Sequence, residues 1–219
     1  MEMKLVIDPA LRHIVQVGHI GFEEVVVSAI NVPLVQEMEA LGAQLRRQYG
    51  SPQDARDRLN VTRQFYRSIG LDPTKTRPSS EALLRRVLKG DSIYQINSVV
   101  DICNLCSLSF LLSIGLYDVE KIQWPAHLRL GAEGEGYHGI GKEYINLNGR
   151  LALVDRLGPF GNPSSDSDRT KITLESREVL FVVFAPRTYP IAQLENHLDF
   201  IEEKMRTYHS SKTGTRGIL

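Results

Sequence analysis

Strand-like runs open the chain, helical patterns follow, strand-like runs return, and a helix comes next to last; this order constrains the fold more than any single motif. Lys4-Leu5-Val6-Ile7, Ile14-Val15-Gln16-Val17 and Val25-Val26-Val27 are dominated by β-branched residues, which suit a pleated surface. Val32 to Tyr49 places Leu34, Met38, Leu41 and Leu45 on one helical face, and Gly50-Ser51-Pro52 stops it. Asp54 to Ile69 predicts a second helix. A third starts at a Ser79 or Ser80 cap and runs through Leu88. Ile96 to Leu112 predicts a fourth. Ile96, Val99, Val100, Cys103 and Phe110 form its apolar face, and Asn97, Asp101 and Asn104 form a polar stripe. Beyond it, Leu128 to Leu130, Tyr144 to Leu147, Leu151 to Val154, Ile172 to Leu174 and Val179 to Ala185 read as strands between Gly-, Pro- and Asn-rich turns. Ile191 to Tyr208 reads as the last helix. No regular strand–helix alternation occurs. The expectation is an α+β fold, β-sandwich-like, with largely antiparallel sheets packed against helices. One domain over residues 1–208 and a flexible tail over 209–219 complete the expected layout.

Charge excludes some functions. The 26 basic and 26 acidic residues among 219 cancel, which rules out a histone-like polycation and an acidic disordered tail protein. The balance is uneven along the chain. Residues 45–90 hold eleven basic residues, nine of them Arg, against four acidic ones, a local net of +7 offset by −7 elsewhere. Arginine suits bidentate phosphate contact, so Arg63, Arg67, Arg77, Arg85 and Arg86 are candidates for nucleic-acid binding. A solvated helical face is the competing reading. The longest apolar run, Val179 to Ala185, is far short of the roughly 20 residues a membrane helix needs. Met1-Glu2-Met3-Lys4 lacks a basic-then-apolar leader pattern. A cytoplasmic protein without membrane association is expected.

Three motifs carry less than their letters promise. Gly134-Glu135-Gly136-Tyr137-His138-Gly139 fits the dinucleotide fingerprint, yet strand-like Tyr144 to Leu147 follows where a helix N-terminus must hold the pyrophosphate. A glycine-rich turn between strands is the simpler reading. Cys103-Asn104-Leu105-Cys106 has no second Cys pair and sits mid-helix, so buried free thiols are expected. The six histidines show no ligand spacing, and no metal or other cofactor is expected. His138, inside the glycine-rich loop, is the histidine to test as an acid or base.

Gly158 to Thr170 combines two Gly and two Pro with Ser164, Ser165, Asp166 and Ser167. A rigid loop with short converging polar groups is what a small-ligand pocket requires.

Arg77-Pro78-Ser79-Ser80-Glu81-Ala82-Leu83-Leu84-Arg85-Arg86 and Ile96-Asn97-Ser98-Val99-Val100-Asp101-Ile102-Cys103-Asn104 together resemble the editing module of the phenylalanyl-tRNA synthetase β-chain. In that family a helix reads roughly I-N-x-V-V-D-x-x-N, and an F-D-x-x-K segment follows, which Tyr117-Asp118-Val119-Glu120-Lys121 matches loosely. The resemblance implies an α+β module around an amino-acid pocket. It places Asn104 beside the bound amino acid, with Cys103 in place of a neighbouring threonine. Gly158 matches a glycine that lines the family pocket, and Asp166 is the implied acid near the later loop; Asn97 from the polar stripe and Ser165 from the polar loop complete the candidate substrate-binding set. The family has a histidine just before its F-D pair; Gly115 stands there in this sequence.

The chain is too short for a ligase catalytic domain and has no Walker-type loop. The resemblance therefore implies a trans-acting aminoacyl-tRNA deacylase that hydrolyses the ester of a mischarged tRNA. The alternative is a non-catalytic module that binds tRNA or a free amino acid. The implied partner is the mischarged tRNA or its amino acid.

Overall fold

The computed structural model describes residues 3–219; Met1 and Glu2, part of the segment read for a leader, lie outside them. The chain runs β1 (Leu5–Ile7), β2 (Val15–Glu23), α1 (Val32–Gln48), α2 (Arg56–Ser68), α3 (Ser79–Leu88), α4 (Ser98–Phe110), β3 (Ser113–Asp118), β4 (Ala126–Leu130), β5 (Gly136–His138), β6 (Tyr144–Asn146), β7 (Leu151–Asp155), β8 (Gly158–Asn162), β9 (Ser165–Asp166), β10 (Val179–Pro186), α5 (Ile191–Tyr208) and β11 (Lys212–Ile218). The fold is α+β. One sheet has the order β1-β4-β7-β8-β9, a second has β11-β2-β10-β3, and β5 and β6 form a hairpin of their own. Pairing is antiparallel except between β1 and β4.

The apolar run of β10 shows why this is layered. Val179, Phe181, Val183 and Ala185 face a core shared with the helices, where Leu34, Leu105, Leu194 and Ile201 meet them. Leu180, Val182 and Phe184 face the other sheet and pack with Leu128, Leu153 and Phe160. A strand buried on both sides needs no polar alternation, so its sequence is continuously apolar. α2 sends Phe65 and Tyr66 into the inter-sheet core.

Local chemistry sets the helix ends. Asn31 caps α1, its Oδ1 accepting from the Leu34 N–H at 3.1 Å. Asn97 caps α4 in the same way, accepting from the Val100 N–H at 3.0 Å. α4 ends at Leu111, which takes a left-handed conformation with φ 58° and turns the chain into β3.

Several expectations are corrected. Residues 212–218 are no flexible tail: β11 pairs antiparallel with β2 and extends the sheet. Its Lys, Thr and Arg side chains suit an edge strand with one wet side, which apolar periodicity does not detect. Val25 to Val27 and Ile172 to Leu174 are not strands, although Val25, Val27 and Ile172 are buried. The turn-rich segment from Gly158 contains β8 and β9, where close packing replaces β-propensity. α3 has Pro78 at its cap position, and neither Ser79 nor Ser80 caps it. Among the described residues no helix is long and apolar enough to cross a membrane.

Candidate functional site

α4, β3 and the β8–β9 turn converge on a cavity of about 290 Å³. α4 contributes Val100, Cys103, Asn104 and Ser107, and β3 contributes Ile114 and Leu116. Ser79 and Leu83 of α3 and Ile140 from the β5–β6 tip complete the mouth. The polar wall is the turn from Asn162 to Asp166.

That turn is built from its own side chains. Asn162 Oδ1 accepts from the N–H groups of Ser164 at 2.7 Å and Ser165 at 3.0 Å. The Tyr66 hydroxyl donates to the Pro163 carbonyl at 2.5 Å, and the Tyr137 hydroxyl donates to the Ser165 carbonyl at 2.5 Å. Lys142 Nζ donates to Ser165 Oγ at 2.5 Å. Three separate elements therefore hold a short segment in place, which gives a loop the rigidity a binding site needs.

Asp166 is the acidic group of the cavity wall, and Lys171 is a basic one. Its Oδ2 accepts from the Leu116 N–H at 3.3 Å, while its Oδ1 is buried without a partner. Burial pushes its carboxyl up to about 7, against the opposing pull of the Tyr117 hydroxyl, the Leu116 N–H and the Lys142 charge. The Cys103 thiol is pushed upward by burial and by the nearby Asp166 charge, so it stays a neutral thiol. The buried Ser164 Oγ also lacks a partner. The Asn104 amide makes no side-chain hydrogen bond among the described residues.

The structure brings together Asn104, Cys103, Ser165 and Asp166. It separates the other expected site residues from them. Asn97 is buried, but its side chain is spent on the α4 cap and on the Ile172 carbonyl at 3.5 Å. Gly158 lies at the β7–β8 turn with φ 118° and does not line the cavity; its carbonyl accepts from Arg169 at 3.4 Å. His138 is exposed on β5, its ring edge-on to Tyr144 at 5.6 Å, and it too lies outside the cavity wall.

The arginine set is partly internal. Glu81 has 0% exposure and receives Arg63 through two hydrogen bonds of 2.7 Å, Arg85 at 2.9 Å and Arg77 at 4.0 Å. Arg86 lies 4.0 Å over the Tyr94 ring and donates to the Ser92 carbonyl. Arg67 is exposed. Three guanidiniums against one carboxylate leave a positive rim next to Ser79, smaller than a count of arginines implies.

Sequence reading missed Tyr117, Gly161, Tyr137 and Lys142. The first two are one device: the Tyr117 hydroxyl lies against the α-carbons of Gly115 and Gly161. Tyr137 and Lys142 lie in and just after the glycine-rich loop that carries the fingerprint motif.

The family model described as the B3/4 domain matches residues 61–211. The chain belongs to the B3/4 domain family. The B3/4 match takes in the whole cavity wall, from Ser79 to Ile172, and leaves β1, β2, α1 and β11 outside it. The fold is similar to the crystal structure of an N-terminal fragment of the phenylalanyl-tRNA synthetase β-subunit from Pyrococcus horikoshii, with a TM-score of 0.51 and 13% identity. The match covers 97% of this chain and 50% of that one, so this B3/4 protein spans about half the length of the fragment it resembles. No curated protein matches the sequence.

Proposed function

We propose that the cavity takes the aminoacyl end of a mischarged tRNA and hydrolyses its ester in trans. The supporting observation is one arrangement: Asp166 Oδ1 and Ser164 Oγ, buried without partners, and the Asn104 amide on the wall of a space of amino-acid size that also has an apolar side of Val100, Ile114 and Leu116. Ionised Asp166 holds the α-ammonium group, and the Val100, Ile114 and Leu116 wall takes the side chain. Asn104 donates to the ester carbonyl as charge develops on its oxygen. Water attacks the carbonyl carbon, the bond to the ribose oxygen breaks, and that oxygen leaves with a proton. With His138 outside the cavity wall, Asp166 and the neighbouring ribose hydroxyl are the groups that orient the water. The positive rim around Arg77, beside Ser79 of the cavity mouth, supports contact with a tRNA backbone.

One observation favours the alternative of a non-catalytic amino-acid- or tRNA-binding module. Tyr117 fills the space a side chain at position 115 would occupy, so no base reaches the cavity from there. A panel of correctly and wrongly charged tRNAs separates the two. Selective loss of one mischarged species, abolished in Asn104→Ala, supports hydrolysis. Uniform stability across the panel with retained tRNA binding leaves the binding module.

A further inference from the structure

A second groove lies on a different face of α2 from the one that braces the cavity. Two adjoining pockets, of about 250 Å³ and about 560 Å³, share Val61, Tyr189 and Gln193 as common lining. Their lining is mostly apolar and aromatic, with two arginines and the amides of Gln64, Gln193 and Asn196 set into it. Arg58, whose Nη2 donates to the Ser109 carbonyl at 2.8 Å, lines the smaller and Arg187 the larger, and among the described residues no carboxylate lines either. Arg187 is exposed, and its side chain has no hydrogen-bond or ion-pair partner among the described residues.

The groove is preformed. Gln16, fully buried in β2, donates from Nε2 to the carbonyls of Pro186 at 3.2 Å and Tyr189 at 2.5 Å. The Arg187 N–H donates to the Ile14 carbonyl at 2.9 Å. These bonds fix the loop that carries Arg187 and Tyr189. The Tyr189 hydroxyl bonds His197 Nε2 at 2.8 Å, and the His197 ring stacks on Phe110 at 4.0 Å. Tyr189 is thus held on its hydroxyl side while its ring borders the groove.

We propose that this groove binds a single-stranded nucleic-acid segment. An arginine in each of two linked pockets matches successive phosphates, a fixed aromatic ring gives a base a stacking platform, and the amides of Gln64, Gln193 and Asn196 offer donors and acceptors to base edges. Two linked pockets exceed what one mononucleotide fills, which selects a strand. The proposal does not depend on hydrolysis in the cavity.

The test is fluorescence anisotropy with end-labelled 12-nucleotide single strands of RNA and of DNA, and with a duplex of the same sequence. Single strands should bind in preference to the duplex. The Arg58→Gln/Arg187→Gln double variant should weaken binding at least about tenfold and flatten the log K against log salt slope by about 1.4, about 0.7 for each phosphate left without its arginine. Arg187→Gln alone should show about half that slope change, and it removes no internal contact of the protein. Tyr189→Leu should weaken binding several-fold, whereas Tyr189→Phe should retain it. RNA favoured over DNA assigns part of the recognition to the ribose hydroxyl; equal binding assigns it to phosphates and bases. Unchanged affinity in the double variant, or preference for the duplex, overturns the proposal. Strand binding that survives while the deacylation panel stays silent refutes only the cavity chemistry.

Discussion

The Tyr117 hydroxyl occupies the space directly over the α-carbon of Gly115, and Gly161 borders the same ring from β8. A Cβ at Gly115 would overlap that hydroxyl and lie 2.6 Å from the ring carbon that bears it. Tyr117 is fully buried and meets Phe160 edge-on at 5.0 Å, so it has no room to retreat. Gly115→Ala should therefore destabilise the protein by about 1–3 kcal/mol, the usual cost of overpacking. Pairing it with Tyr117→Phe should recover only part of the loss, because the ring carbon still clashes. Chemical denaturation of the single and double variants checks this.

Under the amino-acid-pocket reading, Asp166 should make stability and ligand binding respond to pH in opposite directions. Its carboxyl titrates at about 7 in the folded protein, against an ordinary 3.8. Between those values the folded state holds a proton that the unfolded chain has released. Stability should therefore fall as pH rises from about 4 to about 7, then level off. Asp166→Asn should remove that component, visible in denaturation midpoints across the range. Affinity for a free amino acid should instead rise through pH 7 as the carboxylate forms, and the variant should show a flat profile by calorimetry.

Asn97 and Asn104 lie two turns apart on α4 and should separate stability from activity. Asn97 is an N-cap, so Asn97→Ala should cost about 1 kcal/mol in denaturation while leaving the cavity wall in place. Asn104→Ala removes a free amide and should leave stability within about 0.5 kcal/mol. Under the deacylase reading it should lower turnover by about tenfold or more. Equal effects of the two variants on turnover would count against the assigned roles.

Glu81 is the pin under the cavity mouth. Burial pushes its carboxyl up, but hydrogen bonds from Arg63 and Arg85 outweigh it and hold the group below its usual range. Its stabilising contribution is present above the unfolded value and is lost as pH falls through the lower folded value. Glu81→Ala should cost about 2–3 kcal/mol, less than a fully enclosed pair because the arginines reach solvent. It should also free Arg63 and Arg85, so tRNA affinity at low salt should rise in a filter-binding assay.

Truncation after Ser210 tests the last strand. β11 pairs with β2 along its length, and its loss exposes the β2 edge. Each kcal/mol moves the midpoint by about 2–4 °C at this size, and removal of the strand should exceed one such step in a thermal melt.

Much of the fold is legible in periodicity. The Leu34-Met38-Leu41-Leu45 spacing predicts α1, and the Ile191-Leu194-Leu198-Ile201-Met205 series predicts α5, because a helix repeats every 3.6 residues and a buried stripe must follow it. Leu34, Met38 and Leu45 of the first and Leu194, Leu198, Ile201 and Met205 of the second are buried, whereas Ile191, at the start of α5, is exposed. β10 is legible because a doubly buried strand excludes polar residues. The polar loop was also legible as a rigid, polar wall: Ser165 and Asp166 line the cavity, as does Asn104 from the motif helix. The rest depended on partners distant in sequence. Which of Asn97 and Asn104 keeps a free amide turns on where the cap falls, because the N-cap residue spends its side chain on the Val100 N–H. β8, β9 and β11 carry little propensity of their own and exist because a neighbouring strand edge satisfies their backbone groups. The arginines of residues 63–86 read as a free positive face until α2 and α3 bring three of them onto Glu81. Sequence by itself determined which segments could be helices and strands and which loop held the polar chemistry, since those follow from local pattern. Tertiary structure alone decided which charges were spent, which glycines had to make room for Tyr117, and which polar atoms were left without partners, since each depends on what packs against it.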